Sequence, residues 1–358
     1  MGDKIVKHIS FVIGGMTRGG AERVISILAN YYASKGWKVD IVMMLDYVVM
    51  YDLNPSINLV DMTIDKGNRL RNAPKWVNNF RHYVKVNHPD LIVSFVARIN
   101  IVVLLATLGI PIPIIISERN DPAADGRSKA IDFFTKKLYP RAQKIVFQTE
   151  RAKKYFDVAI QNKGIIILNP ILIEADIKLK PKKRIISVGR LAPQKNHHLL
   201  IRAFAEISKQ HPEYELCIYG NGLEMKMKLE KLIEELGLSE SVMLPGNISD
   251  IHRKMSEAEI FVLSSNYEGL SNALLEAMML GLPCISTDCA GSDEIIIDNV
   301  NGLLVPVGDQ KKLSEAMLYM IENPKKRLTF AEKGKETVEK CRAEFVLKQW
   351  NKIIEEQI

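Results

Sequence analysis

The stretch RIISVGRLAPQKNHHLLIRAFAEISKQHPEYELCIYG, residues 184–220, decides the fold. It begins with the apolar run 184–189, passes through a loop into the amphipathic stretch 195–210, and ends with a second apolar run at 214–220. Short apolar runs joined by an amphipathic helix are typical of a strand–helix–strand unit with parallel strands. Strands without a polar face are buried on both sides. The stretch therefore predicts a parallel sheet covered by helices.

The same alternation runs through the whole chain. Before this unit the predicted strands are at 8–14, 39–45, 57–62, 90–95, 113–118, 144–149 and 164–169, with helices at 20–35, 68–87, 98–109, 127–139 and 151–159. After it, strands at 241–246, 260–265, 283–288 and 302–306 alternate with helices at 223–236, 250–258, 271–280 and 309–322. Two such sets predict an α/β chain of two doubly wound, Rossmann-like domains that face each other across a cleft. Ligands of such sheets bind outside the carboxyl ends of the strands.

Length and composition bound the class of protein and its domains. The chain has 358 residues, of which 47% are hydrophobic and 25% charged, as expected for two soluble domains. We place the N-terminal domain at 1–170, a linker without periodicity at 171–183, the C-terminal domain at 184–343, and a helix that packs back on the N-terminal domain at 344–358. The apolar stretch 99–116 is long enough to suggest a membrane span, but its glycine and prolines favour a buried helix followed by a strand.

The cysteines and the start of the chain favour a cytosolic protein. The four cysteines form no C-x-x-C pair and no disulfide framework. The opening MGDKIVKHISFVIGG contains an apolar run that is too short for a signal peptide. We therefore expect a protein that works in a reducing compartment.

Charge is divided unevenly between the two halves. Residues 1–170 carry 24 Lys and Arg against 14 Asp and Glu, whereas residues 171–358 carry 25 against 28. A basic first half indicates an anionic ligand or surface on one side of the molecule. An anionic membrane surface and a phosphorylated substrate both fit. Nucleic acid is not expected, because the basic residues are not interleaved with a platform of stacking aromatic side chains.

Two glycine-rich loops follow predicted strands. The first, GGMTRGGAER at 14–23, contains Gly15 and Gly19 and leads into a helix, whose N-terminus favours an anion. A tight turn without a ligand is the alternative. The second, GNGLEM at 220–225, begins G-x-G but has Met225 in place of a third glycine, which argues against a dinucleotide-dependent oxidoreductase.

Cations and carboxylates stand in two further loops. In GRLAPQKN, 189–196, Arg190 and Lys195 would sit beside a helix N-terminus, a set that suits a diphosphate. A solvated surface pair is the alternative.

In NYEGLSNALLEAMMLGLP, 266–283, Glu268 precedes a predicted helix and Glu276 lies eight residues later inside it. Helical spacing would place the two carboxylates roughly on one side, ~12 Å apart along the axis. Glu276 lies among apolar residues, so either a ligand's hydroxyl pair or a buried Arg or backbone N–H must pair with it. The turn at Gly269, Leu270 and Ser271 offers backbone N–H groups suited to phosphate.

Metal chemistry is not expected. The sequence contains no D-x-D, H-E-x-x-H, P-loop or G-x-S-x-G motif, and its seven histidines show no metal-ligand spacing.

Three motifs together carry a resemblance to a known family. E-G-L-S-N-A-L-L-E at 268–276, G-R-L-x-x-Q-K at 189–195 and G-G-x-x-x-G-G-A-E-R at 14–23 resemble the retaining glycosyltransferases of family 4, which have the GT-B architecture. The likeness covers nearly the whole chain, and the combination is far more specific than any one motif. It implies transfer of a sugar from a nucleotide sugar, with no metal and no other cofactor.

The resemblance also implies roles for individual residues. Arg190 and Lys195 would hold the donor diphosphate and stabilise the leaving group, Glu268 would contact the transferred sugar, and Glu276 would bind the ribose hydroxyls. The backbone of Pro245, Gly246 and Asn247 would read the base. The other implied donor-binding positions are Gly15, Gly19, Gly220, Gly222, Gly269, Leu270 and Ser271.

The acceptor side departs from the family pattern. Many relatives carry a His after a first-domain strand, where this chain reads S-E-R-N-D-P at 117–122. Glu118, Arg119 and Asn120 lie where an acceptor would be held. Glu118 could orient an acceptor hydroxyl, but we favour the alternative that it caps the next segment or pairs with Arg119.

Three elements look most similar to enzymes that extend lipid-linked oligosaccharides in bacterial glycan assembly: G-G-A-E-R-V, S-E-R-N and the I-L-N-P at 167–170. The basic helix near 68–87 suits an anionic membrane or an acceptor diphosphate, because it spaces Trp76, Phe80 and Val84 four residues apart with cations beside them. Arg71 and Lys75 are the acceptor-binding cations named there. The alternative is an ordinary amphipathic helix whose apolar residues are core.

The expected function is therefore that of a metal-independent, retaining glycosyltransferase peripheral on the cytoplasmic face of the membrane. Its donor would be a UDP-hexose or UDP-N-acetylhexosamine, and its acceptor a lipid-linked saccharide in capsule, O-antigen, exopolysaccharide or glycoprotein glycan assembly. Two alternatives stay open: a non-hydrolysing UDP-sugar epimerase of the same fold, and a non-catalytic basic protein that binds membrane or nucleic acid.

Overall fold

The computed structural model describes residues 7–17, 19–64, 69–173, 177–289 and 291–358, with only the backbone of 69–71. The chain divides into two compact units. The first comprises Met1–Pro170 together with Ala343–Ile358, and the second comprises Ile171–Arg342.

The first unit is built on a parallel sheet of seven strands in the order β3-β2-β1-β4-β5-β6-β7. Its strands are β1 His8–Ile13, β2 Lys38–Met43, β3 Asn58–Asp61, β4 Leu91–Phe95, β5 Ile114–Ser117, β6 Lys144–Phe147 and β7 Gly164–Ile166. Its helices are α1 Gly20–Ser34, α2 Arg69–Asn87, α3 Ala97–Ala106, α4 Lys129–Leu138, α5 Glu150–Lys154 and α6 Val158–Gln161. The strand order reverses at β1, which places a topological switch point at its carboxyl end.

The second unit is built on a parallel sheet of six strands in the order β10-β9-β8-β11-β12-β13. Its strands are β8 Arg184–Val188, β9 Glu215–Tyr219, β10 Val242–Gly246, β11 Ile260–Leu263, β12 Cys284–Thr287 and β13 Leu303–Val305. Its helices are α7 His197–Gln210, α8 Leu223–Glu235, α9 Ile251–Ser256, α10 Asn272–Leu280, α11 Gln310–Glu322 and α12 Pro324–Val338. The last helix, α13 Ala343–Glu355, belongs to the first unit.

Both sheets are apolar on each face, as the continuous hydrophobic runs predict. In β1 the neighbouring residues Phe11 and Val12 are fully buried but belong to two different core clusters. Because successive side chains of a strand point to opposite faces, these clusters lie on the two sides of the sheet. The prediction of doubly wound parallel sheets is confirmed.

The ambiguous apolar stretch 99–116 is a helix followed by a strand. It contributes most of α3 and the start of β5, separated by a turn. None of the helices in the described ranges is both long and apolar enough to cross a bilayer.

The helix prediction was wrong at two places. The stretch 151–159 forms two short helices, α5 and α6, because Asp157 adopts an extended conformation before α6. Helix α12 was not predicted: most of its side chains are charged or polar, and only four residues, Phe330, Ala331, Gly334 and Val338, are buried. A weak apolar stripe of this kind gives little periodic signal.

The segment 171–183, which the sequence assigns to a linker, falls within the second unit. The backbone N–H of Ile171 donates to the carbonyl of Cys341 at 2.8 Å, and that of Lys180 donates to Ser256 at 2.8 Å. The stretch 344–358, predicted to pack back on the N-terminal domain, is part of the first unit, where Val346, Trp350 and Ile354 are buried in the core.

Candidate functional site

The candidate donor site is the carboxyl edge of the second sheet. Five neighbouring strands end there, and the loops that follow them begin at 189, 220, 247, 264 and 288. In a parallel sheet the loops after adjacent strands share one edge. The predicted residues of all the second-unit motifs therefore lie on or beside one edge, although the chain separates Arg190 from Glu276 by 86 residues.

Glycines allow these loops to touch one another. A Cβ on Gly220 would lie 1.8 Å from the carbonyl oxygen of Gly189, and one on Gly222 would lie 2.1 Å from that of Leu191. A Cβ on Gly291 would lie 1.7 Å from the carbonyl oxygen of Gly269. The sequence predicted glycines for close approach of a backbone. The structure shows that the approaching backbone at Gly220 and Gly222 is that of the neighbouring loop.

Lys195 and Glu268 form an ion pair at this edge. The Nζ of Lys195 lies 2.6 Å from Oε1 of Glu268, and the two side chains are only 13% and 9% exposed. The hydroxyl of Ser265 donates to the same carboxylate oxygen at 2.6 Å. Charge-assisted hydrogen bonds of this length are strong. The alternative of a solvated lysine is therefore wrong for Lys195.

Hydrogen bonds between the β8 and β11 loops hold this pair in place. The side chain of Gln194 donates to the carbonyl of Tyr267 at 3.0 Å, and the hydroxyl of Ser264 donates to the carbonyl of Lys195 at 2.9 Å. The sequence predicted that Lys195 begins the helix α7. Instead, Lys195 ends a short 3-10 turn, Pro193–Lys195, that precedes α7. Asn196 breaks the helix there because it adopts a left-handed conformation, with φ of 46°.

Arg190 lies on the same loop as Lys195 but is exposed. The structure therefore separates the two predicted diphosphate cations by environment. Lys195 is fixed against a carboxylate, whereas the guanidinium of Arg190 is open to solvent and to a ligand.

Glu268 precedes helix α10 and Glu276 lies within it, as predicted, so helical spacing alone does not fix the distance between the two carboxylates. Helix α10 begins at Asn272, where the hydroxyl of Ser271 accepts a hydrogen bond from the N–H of Leu274 at 3.4 Å, so Glu268 lies before the helix. Glu276 lies within it and is 3% exposed. Its Oε2 lies 3.5 Å from Nε2 of His252, a neighbour that neither predicted interpretation included. His252 is on α9, and no motif connects it with Glu276 in the sequence.

The predicted base-reading segment, 245–247, lies at the end of β10, the outermost strand on one side of the second sheet. Gly246 has a φ of 83°, which favours glycine, and its carbonyl accepts from the N–H of Gly220 at 3.1 Å. The N–H of Asn247 donates to the side chain of Asn221 at 3.2 Å. Pro245 precedes them in β10. The Gly220–Gly222 loop therefore packs beside this segment.

In the first unit, the glycine loop packs against the chain that follows β2. A Cβ on Gly15 would lie 2.6 Å from the carbonyl oxygen of Asp46, and the N–H of Met16 donates to Val48 at 2.9 Å. A Cβ on Gly19 would meet the carboxylate of Glu22 at 2.2 Å. Gly15 is thus required for packing within the unit, because a Cβ there would meet backbone, whereas at Gly19 it would meet only the end of a flexible side chain, which can move.

Glu118 is buried and pairs with a residue that sequence analysis missed. Its Oε1 lies 3.3 Å from Nη2 of Arg127, and its Oε2 accepts a hydrogen bond from the hydroxyl of Tyr139 at 2.8 Å. Burial raises the pKa of the Glu118 carboxyl against the opposing effect of these two partners. The favoured pairing with Arg119 was therefore wrong. Arg127 carries no motif, so nothing in the sequence indicated it.

Arg119 is a buried cation packed against two aromatic rings that stack on each other. Its guanidinium carbon lies 4.9 Å from the ring centre of Phe95 and 5.9 Å from that of Trp350, and Nη1 donates to Asn169 at 3.0 Å. Burial lowers the pKa of Arg119 to about 9. Of the three acceptor residues predicted after β5, only Asn120 is exposed.

The basic helix α2 does not present its apolar residues to a partner. Trp76, Phe80 and Val84 are buried in the core of the first unit. The interpretation in which they contact a membrane was wrong, and the alternative of an ordinary amphipathic helix is correct. Lys75 is exposed, and the side chain of Arg71 lies outside the described residues.

The cysteines are all free and buried. In the described ranges, no group of three or more His, Cys, Asp or Glu is arranged to hold a metal ion.

Comparison with known proteins identifies the second unit. The profile of the glycosyl transferases group 1 matches residues 172–337, nearly the whole of that unit. A Campylobacter jejuni N-acetylgalactosamine-N,N'-diacetylbacillosaminyl-diphospho-undecaprenol 4-alpha-N-acetylgalactosaminyltransferase is 29% identical over 353 residues, which cover 92% of this chain and 94% of that enzyme. The chain is a glycosyltransferase.

Other relatives of this glycosyltransferase agree in fold and chain length. A second Campylobacter jejuni enzyme, named for the acceptor GalNAc-alpha-(1->4)-GalNAc-alpha-(1->3)-diNAcBac-PP-undecaprenol, is 25% identical and aligns over 97% of this chain and 98% of its own. Anabaena HepE, solved with UDP and glucose, superimposes with a TM-score of 0.81 at 19% identity, over 98% of this chain and 99% of HepE. The predicted GT-B fold is confirmed.

Proposed function

We propose that this glycosyltransferase moves a sugar from a UDP-hexose or UDP-N-acetylhexosamine to a lipid-linked saccharide, with retention of anomeric configuration and without a metal. The observation that carries the proposal is the Lys195–Glu268 ion pair at the carboxyl edge of the second sheet, 2.6 Å long and almost shielded from water. It joins a cation suited to phosphate with a carboxylate suited to sugar hydroxyls.

The chemistry follows from those charges. In the proposed reaction the bond from the anomeric carbon to the diphosphate oxygen breaks. The acceptor oxygen forms its bond on the same face, and its proton goes to the departing diphosphate. Lys195 and the exposed Arg190 would neutralise the charge that develops on that diphosphate, so the residues present can take the place of a metal ion. Ser265 and Lys195 would hold Glu268 against the sugar.

The proposed acceptor rests on relatives and on charge. The two Campylobacter jejuni enzymes are named for undecaprenol-linked acceptors and align with nearly the whole chain. The first 170 residues carry ten more basic than acidic residues, 24 against 14, which suits the diphosphate of such an acceptor. We place this reaction in bacterial glycan assembly, on the cytoplasmic face of the membrane.

The proposal is tested by transfer assays with labelled UDP-sugars and a short-chain polyprenyl diphosphate saccharide. Wild type should transfer sugar in the presence of a chelator, with the α-configuration of the donor kept in the product's NMR spectrum. Lys195→Ala should lower the rate about a hundredfold or more. Lys209→Ala is the matched control, because that lysine is exposed on α7 and pairs only with a neighbour on its own helix. Epimerised donor without an acceptor would favour the epimerase instead, and a product of inverted configuration would contradict retention.

A further inference from the structure

Helix α4 carries two large aromatic side chains on its solvent side. Phe133 is 56% exposed and Phe134 is 42% exposed, and their rings pack edge to face with centres 5.6 Å apart. Residues three and four apart share one face of a helix, so Ala130 and Lys137 lie on the same face, and both are exposed. The described residues of the first unit leave this face uncovered. An adjacent pair of exposed aromatic rings is unlike the scattered apolar residues of an ordinary surface.

Other residues of α4 contact the protein itself. Thr135 is its buried residue. Asp132 accepts a hydrogen bond from the hydroxyl of Tyr155 at 2.8 Å and pairs with Lys136 at 3.0 Å. The one acidic residue of the helix is therefore neutralised away from the phenylalanine face.

The segment of chain that contains this face is rich in basic residues. Residues 127–154, which contain α4 and α5, carry nine Lys and Arg against two Asp and Glu. Lys129 and Lys137 are exposed at the two ends of α4. Apolar rings flanked by cations are complementary to a surface that is apolar below and anionic above.

Both ends of α4 are fixed to the carboxyl edge of the first sheet. Arg127 lies two residues before the helix and Tyr139 directly follows it, and both contact the carboxylate of Glu118, the residue after β5. Ser128 caps the helix by accepting from the N–H of Ile131 at 3.3 Å. The phenylalanine face is thus held at a set position relative to the edge where first-unit ligands would bind.

We infer that the α4 face docks this protein on an anionic lipid bilayer, with Phe133 and Phe134 inserted at the boundary of headgroups and acyl chains. Lys129 and Lys137 would contact lipid phosphates. A second copy of the chain is the less suitable occupant, because two such faces would bring like charges together. The inference rests on the proposed function for its purpose, since it would bring the first unit to the membrane that holds a lipid-linked acceptor. It replaces α2 by α4 as the membrane contact.

The test is co-sedimentation of the full chain with vesicles of phosphatidylcholine, alone or mixed with phosphatidylglycerol. Wild type should bind the mixed vesicles and bind less as salt is raised, because salt screens surface charges. The double variant Phe133→Ala/Phe134→Ala should bind them about tenfold more weakly or worse. Leu223→Ala/Met227→Ala is the matched control, since these residues are 81% and 64% exposed on α8 of the second unit. That control should bind like wild type.

The charge component is tested by Lys129→Ala/Lys137→Ala, which should lower binding to mixed vesicles about tenfold at low salt. Equal binding by wild type and the phenylalanine variant would overturn the inference. So would a wild-type dimer that this variant converts to a monomer without loss of vesicle binding.

Transfer to a short-chain acceptor in solution separates the two proposals. The phenylalanine variant should keep it, and vesicle binding without any transfer by wild type would contradict only the proposed function.

Discussion

The two sheets have the same strand order, but the charged residues at their carboxyl edges differ in burial. At the edge of the second sheet, Lys195 and Glu268 pair near the surface, and Arg190 beside them is exposed. At the edge of the first sheet, Glu118 and Arg119 are buried beneath other side chains. The contrast shows that a charged residue after a strand can either stay near the surface of the sheet edge or be buried as part of the fold. We propose donor chemistry for the second edge and a structural role for the charges of the first.

The largest effect is expected on stability, when the ring of Trp350 that packs against Arg119 is removed. Trp350 is fully buried and stacks on Phe95 with ring centres 5.8 Å apart. Trp350→Ala should lower the free energy of unfolding by about 3–5 kcal/mol, because it leaves a cavity beside a buried cation. Urea denaturation measures this. Phe345→Ala on the same helix is the control, since Phe345 is 41% exposed and its loss should change stability by about 0.5 kcal/mol or less. Equal effects of the two variants would contradict the expectation that the buried ring of Trp350 contributes more to stability than an exposed one.

The next effect concerns the second edge. Lys195→Ala should raise the activation free energy of sugar transfer by about 2.7–4 kcal/mol, because it removes the fixed cation from the leaving group. Steady-state kinetics with a saturating acceptor give this value. Lys195→Arg should restore part of the rate if charge is what matters. A rate close to wild type for Lys195→Ala would remove the functional contrast between the two edges.

A smaller effect is expected at Glu118. Glu118→Gln keeps the shape of the side chain but removes its charge opposite Arg127, which retains Asp125 at 2.7 Å. We expect a loss of about 1–3 kcal/mol in the free energy of unfolding, with sugar transfer to a short-chain acceptor little changed. Glu356→Gln is the control, because that carboxylate is 43% exposed and lies 3.8 Å from Lys144. A large loss of transfer with unchanged stability would instead make Glu118 an acceptor ligand.

The smallest effect is a pH dependence that arises near the amino ends of the first sheet. Asp40 is fully buried; burial raises its pKa, but hydrogen bonds from His8, Tyr83 and Asn58 outweigh this and lower it below the ordinary value. A carboxyl with a lowered folded-state pKa stabilises the fold above its unfolded pKa, about 3.9, and loses that contribution as the pH falls through the folded value. Urea denaturation at successively lower pH should show a steeper loss for wild type than for Asp40→Asn. Parallel curves would contradict this assignment.

Local signals were enough to predict most of the fold. The strands are continuous apolar runs, so each strand of both sheets could be predicted, with ends that differ from the observed ones by up to three residues. Helix α12 was missed because it buries few apolar residues.

The site was predictable only where residues belong to a motif. The motifs placed Lys195 and Glu268 at one edge, although they are 73 residues apart. The partners of Glu118 and Glu276 were not predictable, because Arg127 and His252 reach them only through tertiary packing.

Titration calorimetry with UDP tests the assignment of the donor to the second edge most directly. The account predicts that wild type binds UDP, that Lys195→Ala weakens binding about tenfold or more, and that Glu118→Gln binds like wild type. Loss of UDP binding in Glu118→Gln with unchanged binding in Lys195→Ala would place the donor at the first edge and contradict the account.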